Sequence, residues 1–337
     1  MRHYRGLLQL DKRLNTLQTW LKNEIKIDYS DIAPASADAS FRRYFRVTTN
    51  DQASRTLIAM DAPPEHEDNA RFIHCATTLR NCGLNVPHVL AHDLEQGFLL
   101  LSDLGTKIYQ QQLTTATADR LYTDALEALL PLQVKSPEFA QQHPSYTAEL
   151  LLQEMDLFDE WYIQQHLQSN LTPIQQTQLQ QCLQLLIDNA LQQPQVLVHR
   201  DYHCRNLLVT DNNNPGIIDF QDMVVGPITY DLVSLLKDCY IQWPRERVLI
   251  WLESYRQQAI AAGLLSAVSQ DQWVEWFDWM GVQRHLKVLG IFARLFHRDG
   301  KPQYLDDLPL VNSYLRETCQ HYKQLQPLAE LLDVIHE

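Results

Sequence analysis

At the start of the chain, leucines recur at three- and four-residue steps. Leu7, Leu10, Leu14, Leu17 and Leu21 line one face of MRHYRGLLQLDKRLNTLQTWLKN. That period predicts an amphipathic helix lying on the body of the protein. After a polar turn the pattern changes. In ASFRRYFRVTTNDQASRTLIAM, residues 39–60, aromatic and β-branched runs flank the polar TTNDQAS, which predicts a β-hairpin. Residues 65–82 return to a helical period, with Ala70, Ile73, Ala76 and Leu79 as a narrow apolar stripe and Gly83 as a stop. VPHVLAHDL and GFLLLSDL then read as two further strands, separated by Glu95, Gln96 and Gly97.

Beyond residue 105 long helical patterns take over, at 117–133, 147–168 and 174–192. They are rich in Leu and Gln, and the glutamines read as solvent faces rather than a low-complexity tract. Only 196–220 interrupts them, with the short strand-like runs VLV and GIID; helices resume near 230. No internal repeat is visible. This order predicts a two-lobed α+β protein: a small β-rich lobe with its N-terminal helix over 1–104, a linker near 101–106, and a large helical lobe over 105–337.

Composition narrows the function classes. With 45% hydrophobic and 20% charged residues, the chain has the balance of a soluble globular protein. Its net charge of −13 argues against nucleic acid or an acidic membrane surface as a partner, since both are anionic. No apolar run approaches the roughly 18 residues of a membrane span. The N-terminus is charged throughout and lacks a small-residue cleavage site, so it does not read as a signal peptide. The six cysteines form no CxxC pair, and the expectation is reduced thiols in a cytoplasm. No obligate protein partner is evident.

The chemistry is concentrated in LVHRDYHCRNLLV, residues 197–209. Within HRDYHCRN, Asp201 and Asn206 are five apart, and Asp219 follows Asn206 by thirteen in IIDFQD, after the turn DNNNPG. Two short strands joined by such a turn can bring a carboxamide and a carboxylate to one point. Oxygen ligands of that kind suit Mg²⁺, which takes one or two carboxylates plus substrate phosphates. Asp201 is then left to accept a proton from a hydroxyl nucleophile. This is the set that phosphoryl transfer needs. The alternative is a buried cluster of paired charges joining two helices. His203 and Cys204 read as loop filler that packs.

These motifs resemble the protein-kinase-like superfamily, and within it the aminoglycoside phosphotransferase-like branch. HRDYHCRN is similar to the catalytic loop, and IDFQD stands where the metal-binding Asp-Phe-Gly would be, with Gln221 in place of the glycine. The resemblance implies a two-lobed protein-kinase-like fold, Asp201 as base, and Asn206 and Asp219 as Mg²⁺ ligands. It makes His199 and Arg200 loop-positioning residues. Asp231 in GPITYDLVSLL resembles the aspartate that begins the next helix and ties down the loop, and it is also expected as an N-cap. Backbone groups near Ser102 and Asp103 would contact adenine.

The small lobe departs from that pattern. ASADASFRRYFRV contains no glycine, Met60 ends the strand TLIAM where a lysine would stand, and no lysine occurs between Lys26 and Lys107. Ser40, Arg42, Arg43 and Arg46, with the backbone at Ala39, are candidates to hold the ATP phosphates, because arginine matches phosphate bidentately. Otherwise these arginines decorate an exposed hairpin. Both departures also belong to a closer resemblance, over nearly the full length, to the anomeric sugar kinases of bacterial cell-wall recycling. It is carried by DASFRRYFRV, MDAPPEHED, LLLSDLG, the 199–244 block and GVQRHLKVLGIFARLFHRDGK. It implies phosphorylation of the C1 hydroxyl of N-acetylmuramate or N-acetylglucosamine by ATP and Mg²⁺.

In WVEWFDWMGVQRHLKVLGIFARLFHRDGK, an apolar stripe (Trp276, Met280, Leu286, Leu289, Phe292, Phe296) faces away from a polar one. Gln283, Lys287, Arg294 and Arg298 make up the second, with Arg284 beside them. A cationic wall suits an anionic sugar, whereas a polycationic aminoglycoside would favour carboxylates. Equally, these bases can pair with acids of neighbouring helices or snorkel. Arg284, Lys287 and Asp222 are the candidate sugar contacts. Tyr240, Trp243, Trp273 and Trp276 are read mainly as core. An aminoglycoside or other hydroxyl kinase and a catalytically silent kinase-like binding module remain as alternatives.

Overall fold

Helix α1 (Arg2–Asn23) lays Leu17, Trp20 and Leu21 against Phe45, Val47, Ala59, Phe98 and Leu100, which makes the core of the first unit. The structure, a computed structural model, describes residues 2–37, 41–51, 55–266 and 268–336, and among these the side chains of 2–11, 36 and 37 are not described. Leu7 and Leu10 of the expected stripe therefore lie outside the described side chains, and Ala39 and Ser40 outside the described residues. The sheet beneath α1 has five antiparallel strands, β1 (Tyr29–Ala37), β2 (Arg43–Thr49), β3 (Thr56–Asp61), β4 (Val89–Asp93) and β5 (Phe98–Ser102), in the order β1-β2-β3-β5-β4. The expected hairpin is β2–β3, with Arg43 opposite Asp61 and Thr48 opposite Thr56.

The sequence reading makes a turn of what the structure makes β1. Pro34 argues against a strand, yet β1 lies on the sheet edge, where a missing N–H leaves no ladder bond unmade on the open side. Met60 is fully buried between Tyr44 and Leu99, a core position of the sheet. Helix α2 (Asn69–Asn81) starts where Asp68 accepts the Arg71 amide at 2.9 Å and stops at Gly83, whose φ of 94° a side chain would resist.

The chain forms two compact units, one of residues 1–106 with 210–221 and the other of 107–209 with 222–337. This differs from a single cut at 104/105. Residues 210–221 hydrogen-bond within the first unit: Ile217 N donates to the Asn85 carbonyl at 2.8 Å and Arg71 Nε to the Gln221 carbonyl at 2.7 Å. Phe220 packs on Phe72 with ring centroids 5.0 Å apart.

The second unit is mainly helical. Its longer elements are α3 (Ala118–Val134), α4 (Ala148–Leu157), α5 (Pro173–Gln192), α6 (Tyr230–Leu236), α7 (Arg245–Ala261), α8 (Gln270–His297), α9 (Leu308–His321) and α10 (Gln326–Val334). Thr147, Thr172 and Ser269 cap α4, α5 and α8 through their hydroxyls. After α4 the helix continues as a wider π-helical stretch, Phe158–His166. Two strands, β6 (Gln195–Val198) and β7 (Val224–Pro227), pair antiparallel.

Helix α8 is central, packed by α4, the π-helical stretch, α5, α6 and α9. Its bases are mostly internal, and Lys287 pairs with Glu154 of α4, a pairing with a neighbouring helix that is one of the alternatives the sequence leaves open. Gln283, Arg284 and Lys287 are as buried as Leu286 and Leu289, and only Arg298 of the polar stripe is well exposed. Gly290 lets the end of α4 approach, because a Cβ there would lie 2.4 Å from the Leu157 carbonyl carbon.

Candidate active site

Strand β6 is short, aliphatic and buried, and it delivers the chain to His199 at the start of HRDYHCRN. Arg200 then adopts φ 77°, a left-handed conformation that non-glycine residues seldom take unless their surroundings hold it. The holding group is Asp231. Its buried carboxylate accepts the His199 amide at 2.7 Å and the Arg200 amide at 3.0 Å. Asp231 is not the expected N-cap. Thr229 occupies that position, Asp231 sits inside α6, and its side chain serves the loop instead of its own helix. Burial pushes the Asp231 carboxyl up to about 7, although both amides and Arg284 pull it down.

The rest of the loop is tied from several sides. Asp201 N donates to His199 Nδ1 at 3.2 Å, and the Asp201 carbonyl accepts His203 N and Asn206 Nδ2, both at 3.0 Å. Tyr202 is fully buried and donates its hydroxyl to the Ala125 carbonyl at 2.8 Å. Cys204 N donates to Asp238 at 2.9 Å; burial and Asp238 raise the Cys204 thiol far above its usual range, so it packs, as expected, and is no nucleophile. Fixed in this way, the loop leaves the Asp201 side chain 40% exposed. Burial alone would raise its carboxyl, but Arg284, Lys287, His203 and Arg200 outweigh that and bring it down to about 2. Asp201 is therefore ionised at neutral pH.

Beneath Asp201 lies a nearly buried charge cluster. Arg284 places a nitrogen 3.8 Å from the Asp201 carboxylate, donates to the Arg200 carbonyl at 2.9 Å and to the Tyr230 hydroxyl at 3.3 Å. Lys287 donates to Tyr230 at 3.0 Å and pairs with Glu154 at 2.9 Å. Glu154 also takes Arg200 and the Tyr146 hydroxyl. Burial would raise the Glu154 carboxyl, yet Lys287, Arg200 and Tyr146 hold it below its ordinary range. Glu154, Tyr230 and Asp238 escaped the sequence reading. For Glu154 a signal existed: it shares the buried face of α4 and its π-helical continuation with Leu151, Met155 and Phe158, at three- and four-residue steps where an ordinary glutamate has no place.

His199, Arg200, Asp201, Asn206, Asp231, Arg284 and Lys287 are thus brought together within the second unit. Asp222 also belongs to it; its side chain is exposed, and its carbonyl accepts from Arg200 at 3.4 Å. Tyr240 lies under the Arg205 guanidinium, 3.4 Å from the ring centroid, and against His203. Trp273 and Trp276 are buried in the core.

Asp219, Arg43, Ser102 and Asp103 belong to the first unit. Asp219 has φ 65° and accepts the Gln221 side chain at 2.9 Å. The arginines of the glycine-free hairpin are neither loose decoration nor unpaired. Arg42 pairs with Glu67 at 2.6 Å; Arg43, together with Arg13, pairs with the buried Asp61; Arg46 pairs with Asp103 at 2.6 Å. The Asp103 carboxyl, which burial would raise, is held low by Arg46 and the Gly105 amide. Ser102 Oγ accepts the His88 amide at 2.8 Å. Among the described residues no three His, Cys, Asp or Glu side chains gather as a metal cage. Asn206 and Asp219 are nonetheless hard oxygen donors, few in number, which is what Mg²⁺ takes when phosphates supply the remaining ligands.

Comparison with known proteins agrees with this chemistry. The sequence pattern of the phosphotransferase enzyme family matches residues 31–302. N-acetylmuramate/N-acetylglucosamine kinases of Pseudomonas putida and Neisseria meningitidis are 45% and 43% identical, over 96% and 94% of both chains. Among solved structures, a GDP complex of aminoglycoside 2'-phosphotransferase-IIIa superposes with a TM-score of 0.62 at 14% identity, covering 92% of this chain and 99% of that one. Choline kinase LicA from Streptococcus pneumoniae gives 0.62 at 10% identity, covering 90% and 99%. These likenesses establish the kinase-like fold. With its pattern matched over 31–302 and its relatives aligned almost end to end, the chain belongs to the phosphotransferase enzyme family.

Proposed function

We propose that the protein is a cytoplasmic, ATP-dependent sugar kinase that phosphorylates the anomeric hydroxyl of N-acetylmuramate or N-acetylglucosamine in peptidoglycan recycling. The observation that carries this reading is an ionised, partly exposed Asp201 on a rigidly tied loop, in a chain 45% identical to kinases of those two sugars. Asp201 orients the sugar hydroxyl and takes its proton as the oxygen bonds to the γ-phosphorus, while the bond to the β-phosphate breaks and ADP leaves. Asn206 and Asp219 would hold Mg²⁺, which would supply charge neutralisation on the phosphates. Ser40, Arg43, Ser102 and Asp103 serve the nucleotide side. Arg284 and Lys287 give the acceptor side a positive potential that suits the lactyl carboxylate of N-acetylmuramate and disfavours a polycation, and Asp222 offers a carboxylate to a sugar hydroxyl.

The test is ADP release from ATP and Mg²⁺ with N-acetylmuramate, N-acetylglucosamine, glucose and kanamycin in turn. Turnover with the two N-acetyl sugars alone is expected. Turnover with kanamycin would move the protein to the aminoglycoside branch, and nucleotide binding without turnover on any acceptor would make it a binding module.

A further inference from the structure

Arg205 follows Asp201 by four residues, and the reaction as written above gives it no task. Two backbone turns fold the loop between them, His203 N donating to the Asp201 carbonyl at 3.0 Å and Asn206 N to the His203 carbonyl at 2.9 Å. Four residues span at most about 14 Å when extended, and the turns shorten that. The Arg205 guanidinium carbon lies 3.4 Å from the centroid of the Tyr240 ring, and its Nε donates to Gln110 Oε1 at 3.0 Å. Tyr240 is itself held, because its amide donates to Asp238 at 3.1 Å and its ring packs on the His203 ring. The side chain of Arg205 thus has a fixed position, although the residue is only half-buried.

A guanidinium carries five N–H donors. Gln110 takes one, and the stack on Tyr240 covers a face without using any. The four on the two Nη atoms meet no acceptor among the described residues. Burial raises the carboxyl of nearby Asp307 and the charge of Arg205 opposes that, but the two are not paired. The other cations around Asp201 are placed differently. The Arg284 and Lys287 side chains are 6% and 9% exposed, and both are committed, to the Arg200 carbonyl, Tyr230 and Glu154. They set the potential at the base and offer a ligand little surface. The Nη pair of Arg205 is an open fork that fits the two oxygens of a carboxylate.

N-acetylmuramate and N-acetylglucosamine differ by one group, the lactyl ether on C3 that carries the carboxylate. We propose that the Nη pair of Arg205 receives this carboxylate, so that Arg205 sets the preference for N-acetylmuramate over N-acetylglucosamine. The proposal rests on the sugar-kinase reading above.

The experiment measures kcat/KM for N-acetylmuramate, its neutral carboxamide and N-acetylglucosamine in wild type, Arg205→Gln and Arg205→Lys. Wild type should prefer the acid to its amide by about tenfold or more, as a charge-assisted pair is worth. In the Gln variant that preference should vanish, and the ratio of N-acetylmuramate to N-acetylglucosamine should fall by the same factor. The Lys variant, which keeps the charge and loses the fork, should fall between. If both sugars lose equally and the ratio does not move, Arg205 only supports the loop and the proposal fails. It fails also if the acid is still preferred in the Gln variant, if wild type does not distinguish acid from amide, or if only KM for ATP changes, which would give the fork to the phosphates. Wild type without turnover on either N-acetyl sugar would overturn the sugar-kinase reading, and the proposal with it. Unfolding midpoints identify a variant that has lost its fold; should Arg205→Gln do so, the acid-to-amide preference in wild type and Arg205→Lys still decides.

Discussion

A carboxylate that takes a proton from a hydroxyl has to be ionised, aimed and open to its substrate, and three separate groups of residues give Asp201 those properties. Arg284 and Lys287 keep it charged, Asp231 fixes the backbone that aims it, and the loop leaves it exposed. Asp201→Asn keeps the shape and removes the proposed base. Turnover should fall by about 10²- to 10⁴-fold while ADP binding, followed by calorimetry, stays near wild type. Glu154 acts one layer further down. Glu154→Gln leaves Arg200 and Lys287 buried without their carboxylate, which should cost about 3–5 kcal/mol, read from urea unfolding. The loop around Asp201 was legible as a motif because its residues are neighbours along the chain. Glu154 was not, because its partners lie 46 and 133 positions away, at Arg200 and Lys287.

Among the elements, hydrophobic period located the helical stretches at 118–134, 148–166 and 173–192 to within two residues at each end. Two readings stopped short, for one cause each. Strand β1 was hidden by Pro34, whose edge position only the assembled sheet reveals. For helix α8 the sequence left open whether its bases form a wall for a substrate or pair with neighbouring helices, because the partners of Lys287 arrive from α4 and α6, far away along the chain. The same helix yields a prediction at Gly290. In an open helix Gly→Ala would stabilise by up to about 1 kcal/mol. Here the new methyl would meet the Leu157 backbone, which cannot swing aside as a side chain could. Gly290→Ala should therefore destabilise by about 1–3 kcal/mol in chemical denaturation. A variant as stable as wild type would show that the end of α4 yields.

For the molecule as a whole, the two-lobed α+β class and the phosphotransferase family could be read in advance, while the chain's path between its two units could not, because hydrophobic period carries no record of which unit a short segment joins. Global stability also has a pH signature to which one buried ring contributes. His285 stacks on Tyr314 at 5.0 Å and donates from Nε2 to the Lys237 carbonyl at 3.0 Å. Burial lowers the imidazole to about 3, with the charges of Lys237 and Arg284 adding to the effect. Below pH 6.5 the unfolded chain takes up a proton that the folded chain refuses, so stability falls with falling pH, by about 1.4 kcal/mol per pH unit at the limit. His285→Phe should be less stable than wild type by about 1 kcal/mol at pH 7.5, where the Lys237 carbonyl loses its donor. The difference should shrink and reverse by pH 5; parallel pH profiles in urea unfolding would refute the assignment. The placement of residues 210–221 has a further consequence, for descent and engineering. A recombination between two relatives that cuts once, near 106, pairs the sheet of one parent with the Asp219 segment of the other, although the two share hydrogen bonds through Asn85 and Arg71. An exchange that keeps the first unit whole needs three junctions, at 106/107, 209/210 and 221/222, so that unit cannot pass between relatives as a single cassette.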